Sequence, residues 1–274
     1  MPLRRCPAMR GGQGEVMTGL EGFIGEYGAG AAVGAGLALA AGGFAKGVVG
    51  FALPLIAVSI AGSFLPYEVA VALLVLPTLV SNLFQALRQG IGAAWTTFGE
   101  FWWMNLVLGV MIALSAQLVV ALPDRLLFGV LGVAVCTFGV TQLVGWRLQF
   151  RPSHRRLVET AVALLGGFFG GLSGIWGPPI VMYLFASGLP KTEMIRAQSL
   201  SFLLGSIVLV FAHLHTGVLN AVTLPASAWM ILPTMAAMFA GYRVHDRLDQ
   251  ERFRRVTLVV LVITGLNLLR RALF

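Results

Sequence analysis

The stretch Gly166 to Pro190, GGFFGGLSGIWGPPIVMYLFASGLP, decides the fold, because a fainter copy lies at Gly42 to Pro66, GGFAKGVVGFALPLIAVSIAGSFLP. At a constant offset of 124 residues, Gly42, Gly43, Phe44, Gly47, Gly50, Pro54 and Pro66 fall on Gly166, Gly167, Phe168, Gly171, Gly174, Pro178 and Pro190. Ile56 and Leu65 also meet Ile180 and Leu189. Matches at so many glycine and proline positions exceed what apolar composition gives. The stretch reads as a duplicated element, and a repeat of this kind sets the architecture before any single segment does.

Around it the chain is too apolar for water. Of 274 residues, 58% are hydrophobic and 11% charged, against about a quarter charged in a soluble domain. Mean hydropathy is +0.87. Apolar runs recur that are long enough to cross roughly 30 Å of hydrocarbon as helices, and no alternating pattern suggests a barrel. The fold class expected is an all-α, polytopic membrane protein of two pseudosymmetric repeats. The net charge of +8 comes from arginines lying between apolar segments, where they set orientation; no nucleic-acid partner is expected. Cys6 and Cys136 lack the spacing of a zinc or disulfide framework.

Residues 1–28 read as a disordered tail without a signal peptide, and Met9 or Met17 are alternative starts. Repeat 1 covers 29–146, a basic linker 147–156, and repeat 2 157–274. Eight apolar segments are expected, near 29–62, 67–87, 95–121, 126–146, 157–188, 192–214, 221–242 and 253–269. The first of each half is too long for one straight crossing. Its Gly-rich run and proline predict a break or re-entrant hairpin. Re-entrant hairpins leave an odd number of crossings per half, which inverts the second half. That arrangement gathers Arg88, the linker, Lys191, Arg196 and Arg243 on one face, as the positive-inside rule prefers.

A helix broken at membrane depth survives only beside protein or a wet cavity. Proline is favoured in the first turn of a helix, so Pro54 and Pro178 or Pro179 should each start an inner half-helix. Its free N–H groups and positive dipole end would face the break. Two such ends near the midplane make an anion site. Gly47, Gly50, Gly171, Gly174 and Gly177 let backbone approach a ligand, although small residues at four-residue spacing also serve helix packing. Lys46 stands where Gly170 stands in the second copy. A lysine at helix centre costs about 2.5–3.5 kcal/mol to insert, so it needs a wet cavity, a partner or an anion, unless it snorkels. Asn82, Gln85 and Arg88 share a helix face. Gln198, Ser199 and Ser201 lie at matching depth in the other half, and Ser206 aligns with Asn82. Ser173 and Trp176 are candidates to touch substrate, Trp176 being equally a packing aromatic. His213 and His215 read as interfacial. Glu68, Glu100, Asp124, Glu159 and Glu193 all fall near segment ends, so no carboxylate lies deep in a span. That argues against a metal-dependent enzyme and a cation carrier. No GxxxxGK[ST] motif and no nucleophile-base grouping is present; neither enzymatic activity nor a cofactor is expected.

The motifs GGFAKGVVGFALPLIA and GGFFGGLSGIWGPPIVMYLFASGLPKTEMIRAQ, with NLFQALRQG and HLHTG, resemble the TauE/SafE sulfite exporter family (TSUP, the 4-toluene sulfonate uptake permeases). The resemblance covers nearly the whole chain from residue 29. It implies a multi-pass permease of the bacterial inner membrane that moves sulfite, sulfonates, thiosulfate or related anions. Lys46 departs from the small residue that many members carry. The function expected is a secondary transporter of a small sulfur-containing or carboxylate anion. A passive anion channel, a non-transporting assembly partner, and a homo-oligomeric state stay open beside it.

Overall fold

In lipid, backbone polar groups must be satisfied within the chain, and long apolar runs do this as helices. A computed structural model describes residues 20–144, 152–189, 191–245, 247, 259, 262–263, 265–270 and 272–273; every regular element among them is helical. In order they are α1 (Leu20–Tyr27), α2 (Ala29–Val49), α3 (Leu53–Ala61), α4 (Tyr67–Leu87), α5 (Ile91–Glu100), α6 (Trp102–Ser115), α7 (Asp124–Leu143), α8 (Arg155–Ser173), α9 (Gly177–Ala186), α10 (Lys191–Thr216), α11 (Thr223–Trp229) and α12 (Ile231–His245), with short 3-10 turns at Ala116–Val119 and Pro152–His154. Among the described residues six helical stretches are long and apolar enough to cross a membrane: Ala29–Val49, Tyr67–Leu87, Trp102–Val119, Arg155–Ser173, Glu193–Thr216 and Thr223–Val244. The chain is a multi-pass membrane protein.

The expected segments differ from the structure in four places. Residues 1–19 of the expected tail lie outside the described residues, but 20–27 form α1, anchored by fully buried Phe23 stacked on Tyr27. The third segment is split at Phe101, whose backbone leaves helical geometry (φ −108°, ψ 20°). Phe101 is buried there with its ring edge against Tyr183 and the Arg155 guanidinium over it. The seventh segment is divided at Met230, just before Pro233, which cannot donate to the carbonyl of Trp229 and so belongs in a first turn. Residues 147–151 of the linker and part of the eighth segment lie outside the described residues, and 265–270 of the latter are helical.

Each Gly-rich motif makes a hairpin. Helix α2 ends at Gly50, in left-handed geometry (φ 91°), and α8 ends at Gly174 (φ 72°). In both the glycine N–H closes the last turn, onto the carbonyls of Lys46 and Gly170. Only glycine adopts this conformation without a steric penalty. Pro54 is the second residue of α3 and Pro178 the second of α9. The short helices fold back on the long ones. A Cβ on Gly42 would lie 2.8 Å from the Leu53 carbonyl, and one on Gly166 3.5 Å from that of Trp176.

The long arms are held by glycine crossings. Gly43 and Gly47 of α2 press on the α12 backbone at Thr234 and Met238, and Gly241 of α12 presses back on Phe44. Gly167 and Gly171 of α8 press on α6 at Leu108 and Ile112, where the Ser115 hydroxyl donates to the Gly167 carbonyl at 3.0 Å. Pro77 inside α4 removes the N–H that would bind the Leu73 carbonyl. Ser227 of α11 fills the gap: its hydroxyl donates to that carbonyl at 3.1 Å and accepts the Leu76 N–H at 3.2 Å.

Replacing Ser227 by alanine strands the buried Leu73 carbonyl, whose helical donor Pro77 removes. The Ser227→Ala protein is expected to lose about 1–3 kcal/mol of stability, seen as earlier thermal unfolding in detergent, whereas Ser227→Thr keeps the hydroxyl and most of the stability. An unchanged melting curve for Ser227→Ala would show that the gap needs no side chain.

Candidate functional site

Lys46 lies in the last turn of α2, 1% exposed, with its stem inside the protein rather than at an interface. Its ammonium donates to Asn82 Oδ1 of α4. That bond sets the amide orientation, since an ammonium has no acceptor to offer. The Asn82 Nδ2 group therefore points the other way, donating to the Phe202 carbonyl at 2.9 Å and the Ser206 hydroxyl at 3.3 Å on α10. Three helices thus converge on Asn82, which is fully buried and spends both ends of its amide. Among the described residues no carboxylate pairs with Lys46; the ion pairs found join Arg155 to Glu100 and Glu159.

One turn beyond Lys46, the bend at Gly50 faces two glutamines. A Cβ on Gly50 would lie 3.0 Å from Gln198 Nε2 and 3.4 Å from Gln85 Nε2. Gln85 is 5% exposed and Gln198 2%, yet Gln85 Oε1 and Gln198 Nε2 have no hydrogen-bond partner. A buried polar atom left bare costs about 1–3 kcal/mol, and two of them meet at this bend. The Lys46 ammonium carries three N–H donors and gives one to Asn82.

The second bend adjoins the first. A Cβ on Gly174 would lie 3.5 Å from Pro54 Cβ, and one on Gly177 2.9 Å from Phe51. The N-termini of α3 and α9, each with a positive dipole end, therefore come together. The second bend is lined differently. Trp176 is buried against Gly170 and Gly205, with its ring near Phe202. Ser173 spends its hydroxyl locally, donating to the Phe169 carbonyl at 2.8 Å and accepting the Ile175 N–H at 3.2 Å.

Of the expected site residues, the structure brings Lys46, Gly50, Asn82, Gln85 and Gln198 into one cluster, with Pro54, Gly174 and Gly177 at its border. Gly47 and Gly171 lie instead in the crossings with α12 and α6. Trp176 is a packing aromatic over Gly170, and Pro178 is known here only as a backbone position of α9. His213, near the end of the span in the last turn of α10, is fully buried within the protein with both ring nitrogens unpartnered, and the chain returns over that turn through Leu219, whose N–H binds the His213 carbonyl. His215 is exposed.

Two contacts near the hairpins were missed in the sequence. Tyr67 of α4 donates from its hydroxyl to the Leu172 carbonyl at 2.9 Å, satisfying the last turn of α8. Glu159, near the start of α8, is buried. It accepts from Tyr183 Oη at 2.7 Å and Arg155 Nε at 2.9 Å, which ties α9 to α8. The four-residue spacing of Arg155 and Glu159 was the available signal.

The family model for sulfite exporter TauE/SafE matches residues 34–268. The chain belongs to that family. No curated protein and no solved structure matches it.

Because Asn82 acts through Lys46, the two are energetically coupled. In a double-mutant cycle of Lys46→Met and Asn82→Leu, measured by unfolding, the interaction energy is expected at about 0.5–3 kcal/mol. Strictly additive losses would mean that the pair does not act as a unit.

Proposed function

We propose that this member of the sulfite exporter family is a secondary transporter of a small anion, a sulfite, sulfonate or related sulfur-containing or carboxylate species, bound where the two Gly/Pro hairpins meet. The observation that carries the reading is Lys46: a buried ammonium without a carboxylate partner, beside the bends where two half-helix N-termini converge. Burying an uncompensated charge is expensive, and an anion supplies the compensation. Family membership independently favours an anion as cargo.

In this reading 29–146 and 157–274 are pseudosymmetric, inverted repeats joined by the basic linker 147–156. The 124-residue separation of Asn82 and Ser206, which touch each other, supports a pseudo-twofold between α4 and α10. Each hairpin's long arm packs on a helix of the other half, α2 on α12 and α8 on α6. Alternating access then follows from one hairpin unit rocking against the other. The site would lie in the bacterial inner membrane, with no enzymatic step and no cofactor.

The test is uptake into proteoliposomes. Saturable, counter-anion-dependent movement of sulfite or a sulfonate is expected, and Lys46→Ala should lower it at least about tenfold, the loss of about 1.4 kcal/mol of binding. Linear, unsaturable flux would identify a channel instead. No flux, and no ligand-dependent thermal stabilisation for any small anion, would remove the transport reading.

A further inference from the structure

The two bends are built on the same backbone but lined by opposite chemistry. At Gly50 the neighbours across the bend are Gln198 and Gln85; at Gly174 they are Leu74, with Cδ1 3.2 Å from a Cβ there, and Leu209, with Cδ2 at 3.7 Å. These are equivalent positions at the 124-residue offset: Gln198 answers to Leu74, Leu209 to Gln85, and Gly170 to Lys46. The Trp176 ring lies over Gly170, within 2.7 Å of where a side chain would begin, so a lysine has no room in the second copy. Of the side-chain groups that face the two bends, the bare ones therefore belong to the first.

The bare groups also have a definite character. Gln198 Nε2 and the uncommitted N–H groups of Lys46 are donors, whereas Gln85 Oε1 is an acceptor. A bare oxyanion satisfies the donors but leaves the acceptor facing negative charge. Lys46 is the one cation in the cluster among the described residues. Arg88 and Arg196, further along the same helices, are engaged elsewhere: Arg88 stacks over Tyr242, and Arg196 binds Thr97 and Gln89.

We infer that the ligand is a monoanion that also carries a hydrogen-bond donor, gripped at the first bend alone by Lys46, Gln198 and Gln85, while the second bend serves as an apolar wall. This rests on the transport reading above. It adds that the two hairpins do not share the ligand equally. It also adds that a hydroxylated or protonated monoanion fits better than a dianion.

Calorimetric binding to the purified protein tests it with three probes: ethanesulfonate, isethionate, which differs from it by one hydroxyl, and sulfate. Isethionate is expected to bind about tenfold tighter than ethanesulfonate, the worth of one good hydrogen bond, and sulfate more weakly than both. Gln85→Leu, which copies Leu209, should erase the difference between the two sulfonates. Lys46→Gly, which copies Gly170, should abolish binding, while Leu214→Met, an exposed position near the end of α10, leaves all three affinities within about twofold. If Lys46→Gly does not run as a single species on a sizing column, the Gln85→Leu arm decides. Equal affinity for the two sulfonates in the unmodified protein, or tightest binding of sulfate, overturns the inference while leaving an anion transporter. Normal binding in Lys46→Gly overturns it in the same way. Absence of binding by all three probes, together with absence of flux of any anion, defeats the transport reading itself.

Discussion

An ammonium group inside a membrane protein has to be held by something, and in this chain that requirement organises the centre of the molecule. The Lys46 ammonium meets Asn82 Oδ1, and Asn82 in turn reaches α10 through the Phe202 carbonyl and the Ser206 hydroxyl. The amide is oriented by having a pure donor on one side and acceptors on the other. The contact thereby fixes the mutual setting of α2, α4 and α10. Neutral partners solvate the charge without cancelling it.

That arrangement depends on close backbone approach elsewhere. Helix α2 can bring Lys46 inward because Gly43 and Gly47, flanking it, let α2 lie directly on α12. Gly167 and Gly171 do the same for α8 on α6. Membrane helices have no hydrophobic drive to associate, so small residues that permit dense packing supply the contact energy. The glycines of the motifs thus divide by role. Those within the helices serve the crossings, and those at the bends, Gly50 and Gly174, provide the left-handed turns that open the hairpins.

Polar groups in the interior fall into two classes. Where the fold interrupts a helix for its own reasons, it repairs the damage: Ser227 serves the carbonyl freed by Pro77, Tyr67 caps Leu172, and Ser173 closes the end of α8. Around Gly50 it does not, and Gln85 and Gln198 keep bare atoms in almost complete burial. The interrupted backbone is thus served by hydroxyls, whereas side-chain atoms stay bare at Gln85 and Gln198 beside Gly50, and elsewhere at Thr78, Asn105, Ser201, His213 and Tyr242.

The residue order alone determined the helical, membrane-spanning class and the two hairpins, because hydropathy, proline and left-handed glycine are local properties with few structural solutions. It also aligned Asn82 with Ser206 before their contact was known. Which glycines pack and which bend, and why Gln85 and Gln198 face the same turn, were decided only in three dimensions, since those residues lie on different helices. The filling of the second bend by Trp176, the burial of His213 and Glu159, and the split at Phe101 belong to the same class. Hydropathy records how readily a side chain leaves water; it does not record whether the side chain then meets lipid, another helix or an unfilled polar pocket, and that choice is made by helix crossings between distant parts of the chain.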